Sequence, residues 1–202
     1  MALDFEASGV QMLTLSAHKL YGPKGIGALV VDKSLDLAPL LEGGGQEAGL
    51  RSGTENVAAI VGFGMAAERA RLALAERQAQ MGALRLSLEV YLREITEVEL
   101  ISPDAPRLCN TVCFSVKGVD GEAMLMHLDR RGFAVSSGSA CDSGTAAPSH
   151  VLLAMGIAED VARCTLRVSL GKDSTLAEVE AFAAGLAVEI RGLRNLSLRA
   201  TA

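Results

Sequence analysis

Two periods of hydrophobic patterning alternate along the chain. Residues 11–16 and 26–31 are short apolar runs of β-compatible residues, separated by the turn-rich segment 18–25. A glycine-dense loop follows at 43–54. From about 55 to 96 the chain is rich in Ala, Leu, Arg and Glu, which predicts a long helical stretch with Gly82 as the candidate break. Its polar face carries Glu68, Arg69, Arg71, Glu76 and Arg77, a solvated surface. Strands are predicted at 98–102, 110–116, 133–137 and 165–170, with helices near 121–131 and 149–155, the latter stopped by Gly156. The last helix opens on Thr175 and Glu178 at capping-box spacing. Val179, Phe182, Ala183, Leu186 and Ile190 line one apolar face of it. No internal repeat or low-complexity linker interrupts this order. The pattern is α/β, with a junction between two lobes inside or beside the long helical stretch.

Composition narrows the class. Half of the 202 residues are apolar, and 19 Lys+Arg against 24 Asp+Glu leave a net charge of −5. That length suits one large domain or two small ones with ample core. A weakly acidic chain without a basic cluster argues against nucleic acid and anionic membrane as partners. No apolar run approaches the ~18 residues of a membrane span. MALDFEASGV has neither the charged nor the apolar region of a signal peptide, so a soluble cytoplasmic protein is expected. Cys109, Cys113, Cys141 and Cys164 are too few and scattered for a disulfide scaffold and lack zinc spacing, so no metal site is expected. Cys109, Cys113 and Cys164 read as small buried hydrophobes.

Four segments can carry chemistry. In SAHK (16–19), Lys19 closes a predicted strand and opens a glycine/proline loop. Held away from bulk water there, its amine is a nucleophile toward carbonyls, and Ser16 and His18 supply donors suited to a phosphate. The same four residues also read as a surface lysine beside a turn. RSGT (51–54) runs from a glycine-rich loop into a helix, presenting N–H groups and the Thr54 hydroxyl to an anion, or simply capping the helix. Cys141 lies among small turn-forming residues, which suits an exposed nucleophile or sulfur carrier as well as an incidental loop cysteine. Arg167 falls mid-strand, where its planar fork suits a substrate carboxylate unless the residue simply faces outward. His127 and His150 fall on predicted helices and read as structural or surface residues.

Taken in order, SAHKLYGPKGIG (16–27), GGGQE with RSGT (43–54), SSGSAC (136–141) and LRVSLG (166–171) resemble the cysteine desulfurases, and SGSAC resembles the NifS/IscS group among them. The resemblance runs from about Ala7 to the final helix. It implies a fold-type I transferase dependent on pyridoxal 5'-phosphate (PLP), with a mostly parallel sheet in the large domain and a small α/β domain. Residues 1–73 would be the C-terminal part of the large domain and 74–202 the complete small domain. Lys19 matches the lysine that carries the cofactor, and Ser16 and His18 match phosphate ligands. Thr54 matches a phosphate ligand donated across a homodimer interface. Cys141 matches the nucleophile that takes sulfur from L-cysteine as a persulfide, leaving alanine. Arg167 matches the clamp on the substrate carboxylate. The sulfur would pass to an acceptor protein or an iron–sulfur scaffold.

Members of that family are about twice this length. Their N-terminal half supplies a further phosphate loop, a ring-stacking histidine and an aspartate for the pyridinium nitrogen, a role Asp4 does not match. The resemblance therefore implies a C-terminal half, inactive alone or completed by an N-terminal half on another chain. A non-enzymatic sulfur-relay or interaction module keeping Cys141 is the alternative. The presence of Ser16, His18, Lys19 and Thr54 argues against it, because a relay would not need them.

Overall fold

The computed structural model describes residues 2–137 and 148–200, the last five of these by backbone alone. The chain divides into two compact units, Met1–Glu76 and Arg77–Ala202. The α/β character expected from the patterning is present, and every strand pair among the described residues is antiparallel.

The first unit opens with a single turn of helix, α1 (Phe5–Ser8), capped by the Asp4 carboxylate, which accepts from Ala7 N at 3.0 Å. Strands β1 (Met12–Ser16) and β2 (Gly27–Val31) form an antiparallel hairpin with Met12 opposite Val31 and Ser16 opposite Gly27. A 3-10 turn over Ala17–Leu20 begins the connection between them. Helix α2 (Val57–Leu72) packs its small-residue side against that connection. A Cβ on Gly62 would lie 3.0 Å from Pro23 Cγ, and one on Gly22 3.1 Å from Ala66 Cβ. Ala17 is the one fully buried residue of the unit among those described. The apolar residues Val57, Val61, Met65 and Leu72 of α2 all face solvent.

The helical stretch breaks at Ala73, not at the expected Gly82. Ala73 leaves helical geometry and its N–H turns back to Arg69 O and Arg71 O. Gly82 stays inside α3 (Leu74–Glu94), with only Cys109 within 4 Å of where its Cβ would be. A mid-helix glycine costs about 1 kcal/mol, which the burial of Leu88 and Leu92 further along α3 outweighs.

The second unit is a four-stranded sheet, β3 (Val98–Leu100), β4 (Thr111–Val116), β6 (Thr165–Ser169) and β5 (Ser136–Ser137) in spatial order. Strand alternation sends Val112, Phe114, Val116, Leu166 and Val168 to one face. There they meet Leu88 and Leu92 of α3, Met124 and Leu128 of α4 (Gly121–Arg130), and α7 (Leu176–Ala200). The α7 residues expected to form its apolar face, Val179, Phe182, Ala183, Leu186 and Ile190, are all buried. Its capping box is present: Thr175 N donates to Glu178 Oε2 at 2.8 Å and Glu178 N to Thr175 Oγ1 at 3.3 Å. Two short helices, α5 (His150–Ala154) and α6 (Glu159–Arg163), belong to a smaller cluster of Ile101, Leu152 and Ala162, against which Cys113 of the opposite sheet face packs. Helix α6 has no counterpart among the elements expected from sequence. Among the described residues no helix is long and apolar enough to cross a membrane.

Candidate active site

The first unit presents polar donors from two segments, the turn after β1 and the loop before α2. Ser16 ends β1 and Ala17 N donates to Ile26 O at 3.1 Å, so the hairpin ladder runs directly into the 3-10 turn. The turn closes on Tyr21, held in the left-handed region at φ 62°, and Gly22 N donates to Ala17 O at 2.9 Å. Close approach of the backbone requires glycine at two points here. A Cβ on Gly27 would lie 2.4 Å from Leu15 O, and one on Gly22 would lie 2.9 Å from Ala17 O. With its backbone fixed this way, the turn presents His18 and Lys19 from adjacent positions beside a half-buried Ser16.

His18 and Lys19 are exposed. The shelter from water expected at Lys19 is therefore not provided by the described residues. The turn lies over α2, and of its residues only Ala17 is fully buried.

Thr54 follows a loop that folds on itself. Ser52 Oγ donates to Leu41 O at 3.0 Å and Gly53 N to Gln46 Oε1 at 3.2 Å. The capping role left open for Thr54 is taken by Asn56, whose Oδ1 accepts from Ala59 N at 3.2 Å. The Thr54 hydroxyl is thus not used to start α2. Among the described residues, the side chains of Ser16, His18, Lys19 and Thr54 have no hydrogen-bond or ion-pair partner. On the turn after β1 the Ser16 hydroxyl, the His18 imidazole and the Lys19 amine, all unengaged, are groups that fit a phosphate-bearing aldehyde cofactor, and Thr54 offers a further free hydroxyl elsewhere in the unit.

The second unit holds Arg167 at the centre of β6. It is half-buried, with Cys113 of β4 directly opposite on one side and Ser136 of β5 on the other. Arg167 Nη2 donates to Ser136 Oγ at 3.5 Å. No carboxylate pairs with it among the described residues. It therefore does not simply face outward. A half-buried guanidinium without a counter-charge is a ready partner for an anion. Burial pushes the Cys113 thiol above its ordinary pKa, and Arg167 partly offsets this. Neither Cys113 nor Ser136 emerges as a neighbour of Arg167 from sequence alone, since both depend on strand register. Cys109, Cys113 and Cys164 are free thiols and only half-buried, less covered than expected.

Cys141 lies outside the described residues. His127 has the structural role read for it. Its Nδ1 pairs with Glu189 Oε2 of α7 at 2.7 Å, and Arg131 Nε pairs with Glu189 Oε1. No group of His, Cys, Asp and Glu that could hold a metal occurs among the described residues.

The family described as Aminotransferase class-V matches residues 1–182. An IscS-like cysteine desulfurase of Mycobacterium tuberculosis is 45% identical over 183 residues, 90% of this chain and 47% of that protein. The cysteine desulfurase NifS of Azotobacter vinelandii is 40% identical over 96% of this chain and 49% of its own. The structure of a NifS-like protein from Rickettsia africae superposes with a TM-score of 0.85 at 34% identity, covering 95% of this chain and 50% of the other. The chain spans about half the length of the curated relatives it matches.

Proposed function

Given that the chain belongs to the class-V aminotransferase family, we propose that it carries part of the active site of a PLP-dependent cysteine desulfurase. In this reading the first unit belongs to the cofactor-binding large domain and the second is the small domain. L-cysteine is the substrate, alanine is the released product, and the sulfur goes on to an acceptor protein or an iron–sulfur scaffold in the cytoplasm. The observation that carries the reading is the set of four unengaged donors, Ser16, His18, Lys19 and Thr54, in one unit.

PLP, when bound, supplies a conjugated ring that accepts the electron pair developed at the substrate's Cα. Lys19 Nζ is the attachment point and afterwards holds or returns a proton. Ser16 Oγ and His18 donate to the phosphate, and Thr54 Oγ1 donates to the phosphate held by a second copy of the chain. The Arg167 guanidinium takes the carboxylate of L-cysteine and fixes its orientation. Cys141 Sγ, as thiolate, forms an S–S bond with the substrate sulfur while the substrate Cβ–S bond breaks. The three-carbon residue is protonated and leaves as alanine. Because the chain spans about half of its relatives, full turnover is expected when the remainder of their fold accompanies it.

The test is the visible spectrum of the chain mixed with PLP, before and after borohydride reduction, with peptide mapping of the label. The expected result is one band and a label on Lys19, lost in Lys19→Ala. A label scattered over Lys24 and Lys33, or no band, refutes the cofactor assignment. It would favour a relay that uses Cys141 alone.

A further inference from the structure

Arg167 meets very different neighbours on its two sides. Toward β4 it faces Cys113, which packs against Ile101, Leu152 and Ala162. A thiol there is at best a weak acceptor, and burial keeps it in the protonated form. Toward β5 it faces Ser136, and the bond from Arg167 Nη2 to Ser136 Oγ is the one hydrogen bond the guanidinium makes among the described residues. A long side chain with four rotatable bonds and no counter-ion is otherwise free to choose among rotamers, and ordering it costs binding free energy. The Ser136 hydroxyl removes part of that freedom while occupying one of five N–H donors, which leaves enough for a two-point contact with a carboxylate.

We propose that Ser136 is a positioning residue for substrate binding: by accepting from Arg167 Nη2 it holds the guanidinium for the carboxylate of the amino-acid substrate. This rests on the reading of Arg167 as the carboxylate ligand.

The experiment follows the Arg167 Nε–H resonance of the purified chain, assigned by its loss in Arg167→Lys, during titration with L-cysteine under reducing conditions. Cysteamine, which lacks the carboxylate, is the control. In the wild-type chain the resonance shifts with L-cysteine and not with cysteamine. Ser136→Ala weakens L-cysteine about threefold, the loss of one modest hydrogen bond, and Ser136→Thr restores it. Unchanged affinity in Ser136→Ala, with the wild-type response to L-cysteine intact, overturns the proposal and leaves the Arg167 reading standing. Weakening that Ser136→Thr does not restore also overturns it, because a packing role would then account for the loss. A wild-type resonance that ignores L-cysteine, or answers cysteamine equally, refutes the Arg167 reading and this proposal with it.

Discussion

Replacing Glu89 by alanine should destabilise the second unit more than any other single charge removal in α3. Glu89 is 7% exposed, and its Oε1 accepts from Arg85 Nη1 at 2.5 Å and Arg107 Nη2 at 2.8 Å. The two arginine side chains are themselves only 17% and 20% exposed, and Arg85 Nε is already buried without a partner. Arg107 also donates to Pro103 O at 2.7 Å, so the network ties the segment leading into β4 to α3. Removing the carboxylate leaves two largely covered cations facing each other. Breaking a buried pair costs roughly 3–5 kcal/mol. The residual exposure of both arginines places this case near the lower end, about 3 kcal/mol. For a unit of this size that corresponds to a fall in Tm of roughly 10 °C. The chain has no tryptophan and two tyrosines, Tyr21 in the first unit and Tyr91 in α3. In a Tyr21→Phe background, tyrosine fluorescence therefore reports the second unit alone. The double variant Glu89→Ala with Arg107→Ala should lose less than the sum of the singles, since the second change removes one stranded cation. A Tm drop below about 3 °C for Glu89→Ala, or strict additivity in the pair, would refute the account.

Four further outcomes follow from other parts of the molecule. Arg131 and His127 hold the Glu189 carboxyl below its ordinary range. Its stabilising contribution is therefore full above the unfolded pKa and lost as pH falls through the native one, so Glu189→Gln should cost stability at pH 7 and progressively less as acid protonates the native carboxyl, read in acid-unfolding curves. Cys113 should be alkylated by iodoacetamide more slowly in the folded chain than in urea at pH 8, and more slowly still in Arg167→Ala, as read by peptide mass mapping. Gly27→Ala places a Cβ 2.4 Å from the Leu15 carbonyl, which must shift the hairpin and should cut borohydride-trapped PLP at Lys19 severalfold without touching a donor. Thr175→Ala removes one half of the α7 capping box and should lower stability by about 1 kcal/mol in denaturant titrations.

Where a signal is local, the sequence carried it. Helix α7 announces itself because its cap and its apolar face are both set by spacings of three and four residues, and the hairpin around Lys19 because Gly22, Pro23 and Gly25 punctuate two β-rich runs. The break at Ala73 was not legible, since propensity favours Gly82 and only the packing of α3 keeps that glycine helical. Helix α6 is five residues long, too short for a period to register. At the candidate site the donor-bearing residue types were readable. Their surroundings were not: the exposure of Lys19 depends on what covers the turn, the release of Thr54 on Asn56 winning the cap, and the pairing of Arg167 with Cys113 and Ser136 on strands 54 and 31 residues away in the chain, respectively.

Among its described residues the first unit fully buries one alanine, while Leu40 stands 93% exposed and Leu72 68% exposed. A segment of this kind gains too little from burial to offset the entropy of ordering it. Its folding is only weakly favoured by its own burial, so any ligand that binds the folded unit would add to its stability by mass action. Were the turn bearing Lys19 to hold a ligand, substitutions on the outer side of α2 would change how much is captured without meeting that ligand.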